Sequence, residues 1–105
     1  MFGTDQHAYV ADTFNNMASV YLKQGSLTKA LEFYEKALTI YQKVFGTDQH
    51  ADVANTFFNM GLLYKNQGDK VKAKELFTKC AEIYEAVIGP EFEWAKRARD
   101  ILKTL

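Results

Sequence analysis

The heptad FGTDQHA stands twice in this chain, at 2–8 and again at 45–51. Sliding the sequence on itself by 43 positions also aligns Tyr21 with Tyr64, Gln24-Gly25 with Gln67-Gly68, Ala30 with Ala73 and Ile40-Tyr41 with Ile83-Tyr84. About half of the positions from 2 to 46 are identical at that offset. A fixed period of this length is the mark of stacked supersecondary units, each too small to bury its apolar face alone. Two units fit, and after Val87 only Gly89 and the terminal Leu105 keep their places.

The hydrophobic spacing inside each unit is helical. Val10, Phe14, Met17, Ala18 and Tyr21 form one stripe, repeated by Val53, Phe57, Met60, Gly61 and Tyr64. Gly25-Ser26 and Gly68-Asp69 follow, a glycine suited to the left-handed end of one helix and an N-cap suited to the next. A second helix then runs through Leu27, Ala30, Leu31, Tyr34, Ala37, Leu38 and Tyr41, with Ala73, Phe77, Cys80, Ile83, Tyr84 and Val87 as its counterpart. Gly46 and Gly89 stop these helices. The heptad therefore reads as a joint between hairpins, with Thr and Asp as N-caps for the helix that follows. A metal site from His7, His50, Asp5 and Asp48 is the rival reading. It has little behind it, because each unit offers one His and one Asp, without a dense ligand set.

The expected fold is all-α: an α–α superhelix of two antiparallel hairpins plus a C-terminal capping helix, within a single domain spanning 1–105. The first repeat covers about 3–45, the second about 46–88 and the capping helix about 90–104. In that last segment Ala95, Ala98, Ile101, Leu102 and Leu105 share a face, as a terminal solenoid element requires. Pro90 is expected in its first turn, and Trp94 at its edge.

Composition narrows the function. Thirteen basic and thirteen acidic residues cancel, so nothing draws the chain as a whole toward nucleic acid or an anionic membrane. No apolar run approaches the roughly 20 residues needed to span a bilayer. Cys80 is alone and forms no intrachain disulfide. It reads as buried and inert, since no His or basic residue at a helical neighbour lowers its pKa. With no signal sequence in view, the cytoplasm is the expected compartment. No catalytic set or cofactor motif is present, and Glu32, Glu35, Glu75 and Glu82 alternate with lysines as a solvated face.

At Phe14, Met17, Ala18, Tyr21, Ala30, Tyr34 and Ala37, and at Phe57, Met60, Gly61, Tyr64, Ala73, Phe77 and Cys80, the chain resembles the tetratricopeptide repeat. The ordinary period of that repeat is 34 residues. The longer period and the Gly-Thr-Asp-Gln-His joint look most like the extended repeats of kinesin light chains and nephrocystin-like proteins. The resemblance covers about Gly3 to Gly89. It implies a scaffold that binds an extended peptide or a partner helix on a concave face lined by first helices. Opposite the apolar stripe, the first helix carries Asp12, Asn16, Ser19 and Lys23; the second repeat offers Asn55, Asn59, Leu62 and Asn66. An Asn amide both donates and accepts, so it can pair with a peptide backbone of any sequence. Asn16 and Asn59 fall where kinesin-light-chain-like repeats carry an Asn that contacts peptide backbone. Lys23 and Lys65 are too few for a carboxylate clamp. Phe58, which replaces Asn15, is either an exposed contact or a packer between helices.

The opening MFG matches the VFG that ends the first unit, as though the chain were excised from a longer array. An uncapped first hairpin is expected to self-associate, face to face or by exchanging helices across the Gly46 joint. The other reading of function is architectural: a spacer or oligomer-forming module that binds nothing itself.

Overall fold

The computed structural model describes residues 7–105, so the first heptad copy lies almost wholly outside the described residues. Five helices follow in order: α1 (Ala8–Lys23), α2 (Leu27–Phe45), α3 (Ala51–Asn66), α4 (Lys70–Val87) and α5 (Glu93–Thr104). There is no strand among the described residues. The chain divides into two compact units after Thr47. The first is the α1–α2 hairpin; in the second, α3 packs on α4 and α4 on α5.

Both hairpin turns have the same construction. Gly25 and Gly68 each sit at φ 82°, a left-handed conformation that a side chain disfavours. The following N–H groups reach back to carbonyls that the helix end leaves unpaired. Ser26 N–H donates to the Tyr21 carbonyl (2.9 Å) and Asp69 N–H to the Tyr64 carbonyl (2.9 Å). The two turns differ in their N-caps. Asp69 Oδ1 accepts from the Lys72 N–H at 3.1 Å, whereas Ser26 makes no such bond. Asp69→Ala is thus expected to cost about 1 kcal/mol of stability, and Ser26→Ala only a few tenths. Urea titrations of the two variants check the difference.

The joint before α3 departs from the expectation. Neither Thr47 nor Asp48 caps the helix; His50 does, its Nδ1 accepting from the Asp52 N–H at 3.1 Å. A third residue of the joint holds the cap because the chain stays non-helical for the five residues after α2, beginning with the left-handed C-cap Gly46. Pro90 likewise stands in the turn before α5, not in its first turn; Phe92 is the N-cap.

The first hairpin closes through small residues. Ala11 and Ala18 of α1 and Ala30 and Ala37 of α2 are fully buried, which lets the Tyr34 and Tyr41 side chains of α2 fit between the helices. The contact face of α1 is therefore rotated from the stripe read in the sequence. Met17 is 37% exposed, and Phe14 and Tyr21 lie half-buried at the side, each stacked on Phe33 with ring centroids 5.7 and 5.5 Å apart.

The second hairpin crosses more tightly, at Gly61. A Cβ there would stand 3.0 Å from the ring of Phe77, which is itself fully buried. Phe58 proves to be a packer, 6% exposed and edge-on to both Phe77 and Trp94. It joins α3 to α4 and α5.

On the far side, Arg99 of α5 grips Glu85 of α4 with two parallel bonds, Nε to Oε2 at 2.9 Å and Nη2 to Oε1 at 2.8 Å. Those bonds hold the Glu85 carboxyl below its usual range. A depressed carboxylate stabilises the fold above its unfolded pKa and loses that contribution as pH falls through the folded value. The pair is partly solvated, so Arg99→Ala is expected to cost roughly 0.5–1 kcal/mol at neutral pH. The difference from wild type should shrink on acidification below about pH 4, as thermal melts at the two pH values would record.

Candidate functional site

The residues expected to form a binding surface all lie on the first helix of each hairpin, α1 and α3. In the first unit the four expected residues separate into two kinds. Asn16 and Lys23 are exposed. Asp12 is exposed too, but its Oδ1 accepts from the Tyr41 hydroxyl of α2, and half-buried Ser19 is hydrogen-bonded through its hydroxyl to that of Tyr34 at 2.9 Å. This corrects their placement on a face opposite the hairpin core. The cause is the rotation of α1 about its small residues, which brings the two flanking polar groups over the tyrosine hydroxyls that α2 buries between the helices.

The second repeat supports that account at the same positions. Where the first has Ser19 and Tyr34, the second has Leu62 and Phe77, so hydroxyl partner and hydroxyl are absent together. Leu62 is half-buried accordingly, and so is Asn59, while Asn55 and Asn66 are exposed. The side-chain amides of Asn16, Asn55, Asn59 and Asn66 have no hydrogen-bond partner among the described residues. Each amide keeps its donors and its acceptor for a ligand. The first unit supplies one such amide and the second unit three.

Two features of these surfaces escape a reading by hydrophobic period. The first is a lysine–aromatic series: Lys29 lies over Tyr21 and Lys36 over Phe14 and Phe33, matched by Lys72 over Tyr64 and Lys79 over Phe57, all at 5.1–5.9 Å from the ring centres. Its signal was present as lysines seven apart on the second helix of both repeats. These ammonium groups cover aromatic faces at the side of each hairpin, and Lys36 and Lys79 are also paired with Glu32 and Glu75 at 3.6 and 3.5 Å. The second is Asn15. It is 7% exposed, and its Oδ1 has no partner, although the equivalent Phe58 announces that the position faces inward.

Cys80 is fully buried, and burial pushes its thiol up to about 12, which holds it in the unreactive thiol form. Among the described residues no three His, Cys, Asp or Glu side chains gather as a metal site. No helix among the described residues is long and apolar enough to cross a membrane.

Hairpins of two helices joined by a glycine turn, with small residues at the crossing and large ones beside it, define a helical-repeat protein. Residues 9–86 match the family described as Tetratricopeptide repeat. That span is most of the chain, and the protein belongs to the tetratricopeptide repeat family. The family's members act as protein-protein interaction modules, typically without catalysis of their own. Comparison with curated proteins gives no significant match.

Proposed function

We propose that the chain is a non-enzymatic, cytoplasmic binding module of the extended-repeat type seen in kinesin light chains and nephrocystin-like proteins. It takes an extended peptide or a partner helix along the outer faces of its first helices. The observation that carries this reading is the set of unpartnered amides at Asn16, Asn55, Asn59 and Asn66. A surface of neutral donor–acceptor groups suits a peptide backbone better than a phosphate or a lipid headgroup. The balanced charge agrees with a protein ligand. Asp12 and Ser19 act through the hairpin, setting the pitch of α1, while Lys23 and Leu62 border the amides.

Two lost amide contacts at about 1 kcal/mol each weaken binding roughly tenfold to thirtyfold. Titration of a fluorescently labelled peptide library into wild type and an Asn16→Ala/Asn59→Ala variant should show that loss for every binding peptide. Equal affinity in both proteins, or no binding by either, would remove the amides from the site.

A second reading, that the module also associates with itself, is favoured by the exposed Tyr9, Met17 and Val20 side chains of α1.

A further inference from the structure

Tyr9, Met17 and Val20 are 58, 37 and 53% exposed. With Thr13 and Gln24 they recur at intervals of four, four, three and four residues, which is one stripe along a 3.6-residue helix. Met17, Val20, Tyr21 and Gln24 line an open groove of about 360 Å³. The equivalents on α3 are different in state but alike in kind: Thr56 and Leu63 are fully buried and Met60 is 7% exposed. The first repeat thus shows to solvent a row of seats that the second repeat covers.

No residue of this stripe is charged. Charge stands only along one edge, with Asp12 near the start of α1 and Lys23 at its end. Asp12 Oδ2 and Lys23 Nζ have no ion-pair partner among the described residues. An acid and a base at opposite ends of one edge make the helix complementary to itself run backwards. In an antiparallel pair related by a twofold axis, the same edge of both helices lies on the same side, in reversed order. A twofold axis close to Met17 sets Asp12 of each copy beside Lys23 of the other, closes Met17 on its own counterpart, and brings Val20 against Thr13 and Tyr9 against Gln24 of the other copy.

We propose that this surface binds a second copy of the chain, as an isologous dimer made by antiparallel pairing of the two α1 helices. The proposal rests on the reading of the chain as self-associating and names the surface responsible. The dimer is weak. Sixteen residues of helix extend about 24 Å and cover less than the roughly 800 Å² per partner of a standard specific interface. Half-association is therefore expected at roughly hundreds of micromolar.

Sedimentation velocity of the full chain from about 10 µM to about 1 mM tests it. Wild type should pass from monomer to dimer and stop there. Val20→Glu or Met17→Glu, both at exposed positions, should keep the chain monomeric with an unchanged circular dichroism melt. Lys23→Glu should weaken the dimer about tenfold, and added salt should weaken the wild-type dimer. In a second measurement Met17→Cys, near the axis, should cross-link on oxidation, while Thr28→Cys, exposed on α2, should not. Monomer at every concentration would remove both the proposal and the self-association it rests on. A dimer indifferent to Val20→Glu would remove this surface alone, as exchange of helices would do, and growth beyond a dimer would contradict the closed twofold arrangement.

Discussion

Phe77→Ala is expected to lower the unfolding free energy of the second unit by about 4 kcal/mol, and Gly61→Val by about 2–3 kcal/mol. Phe77 is fully buried, and its ring lies 3.0 Å from where the first side-chain carbon at position 61 would be placed. Removing the ring leaves a cavity that α3 and α4 cannot fill by sliding, since Phe58 props them from one side. Adding a branched side chain at position 61 forces the helices apart. Ala at this position is milder, because a gain of about 1 kcal/mol in helix propensity offsets part of the overlap. The two large changes are complementary, so Gly61→Val/Phe77→Ala should lose at least about 1 kcal/mol less than the sum of the single variants. Urea unfolding followed by Trp94 fluorescence reads all three, since Trp94 packs on Phe58 in the same unit.

Phe58→Asn should cost about 4 kcal/mol. The substitution imposes on the second repeat the residue that the first carries at this position, Asn15. Two edge-on aromatic contacts disappear, with centroid distances of 5.3 Å to Phe77 and 5.4 Å to Trp94. An amide enters a site where only 6% of the native side chain is exposed and no polar partner is at hand. Because Phe58 packs on Trp94 and so links α5 to α3, the emission of Trp94 should also shift to the red at denaturant concentrations where α3 and α4 remain helical. Loss of fluorescence and of helical signal in a single step, at the wild-type midpoint, would show that the aromatic cluster does not hold the unit.

Much of this architecture was legible in the residues, for a physical reason. A helical hairpin needs small side chains where its helices cross, large ones beside them and a left-handed residue at the turn. Each need recurs 43 residues on, so Gly25 and Gly68, Ala30 and Ala73, and Tyr34 and Phe77 could be found by comparing the chain with itself. The direction of each face was harder to read. Large apolar residues such as Met17 and Phe14 look like core on a helical wheel, yet the hairpin closes on Ala11, Asn15 and Ala18. Hydrophobic period cannot separate residues that meet their own hairpin partner from those left for another. The same error misplaced Asp12 and Ser19, whose partners are tyrosine hydroxyls arriving from α2, 29 and 15 positions along the chain. Nor could composition show that His50, instead of Thr47 or Asp48, caps α3, because that choice depends on how many residues the joint spends before the helix begins.

The candidate site was legible in its chemistry and less so in its membership. Asn16, Asn55, Asn59 and Asn66 keep unpartnered amides because they stand on the side of the first helix away from its crossing. The apolar row of Tyr9, Met17 and Val20 was not legible as a surface, because the helical period places Met17 in the core stripe. Its exposure follows from the rotation of α1.

Everything turns on residues 43 apart holding equivalent seats in two helix hairpins, and nuclear Overhauser contacts in the labelled full chain measure this directly. Contacts are expected from the Ala18 methyl to the Tyr34 ring and from the Gly61 α-protons to the Phe77 ring, with Tyr21 stacked on Phe33 and Ser19 beside the Tyr34 hydroxyl. A structure in which Gly61 touches Phe77 while Ala18 has no contact with Tyr34 would contradict the equivalence, and with it the assignment of the binding faces.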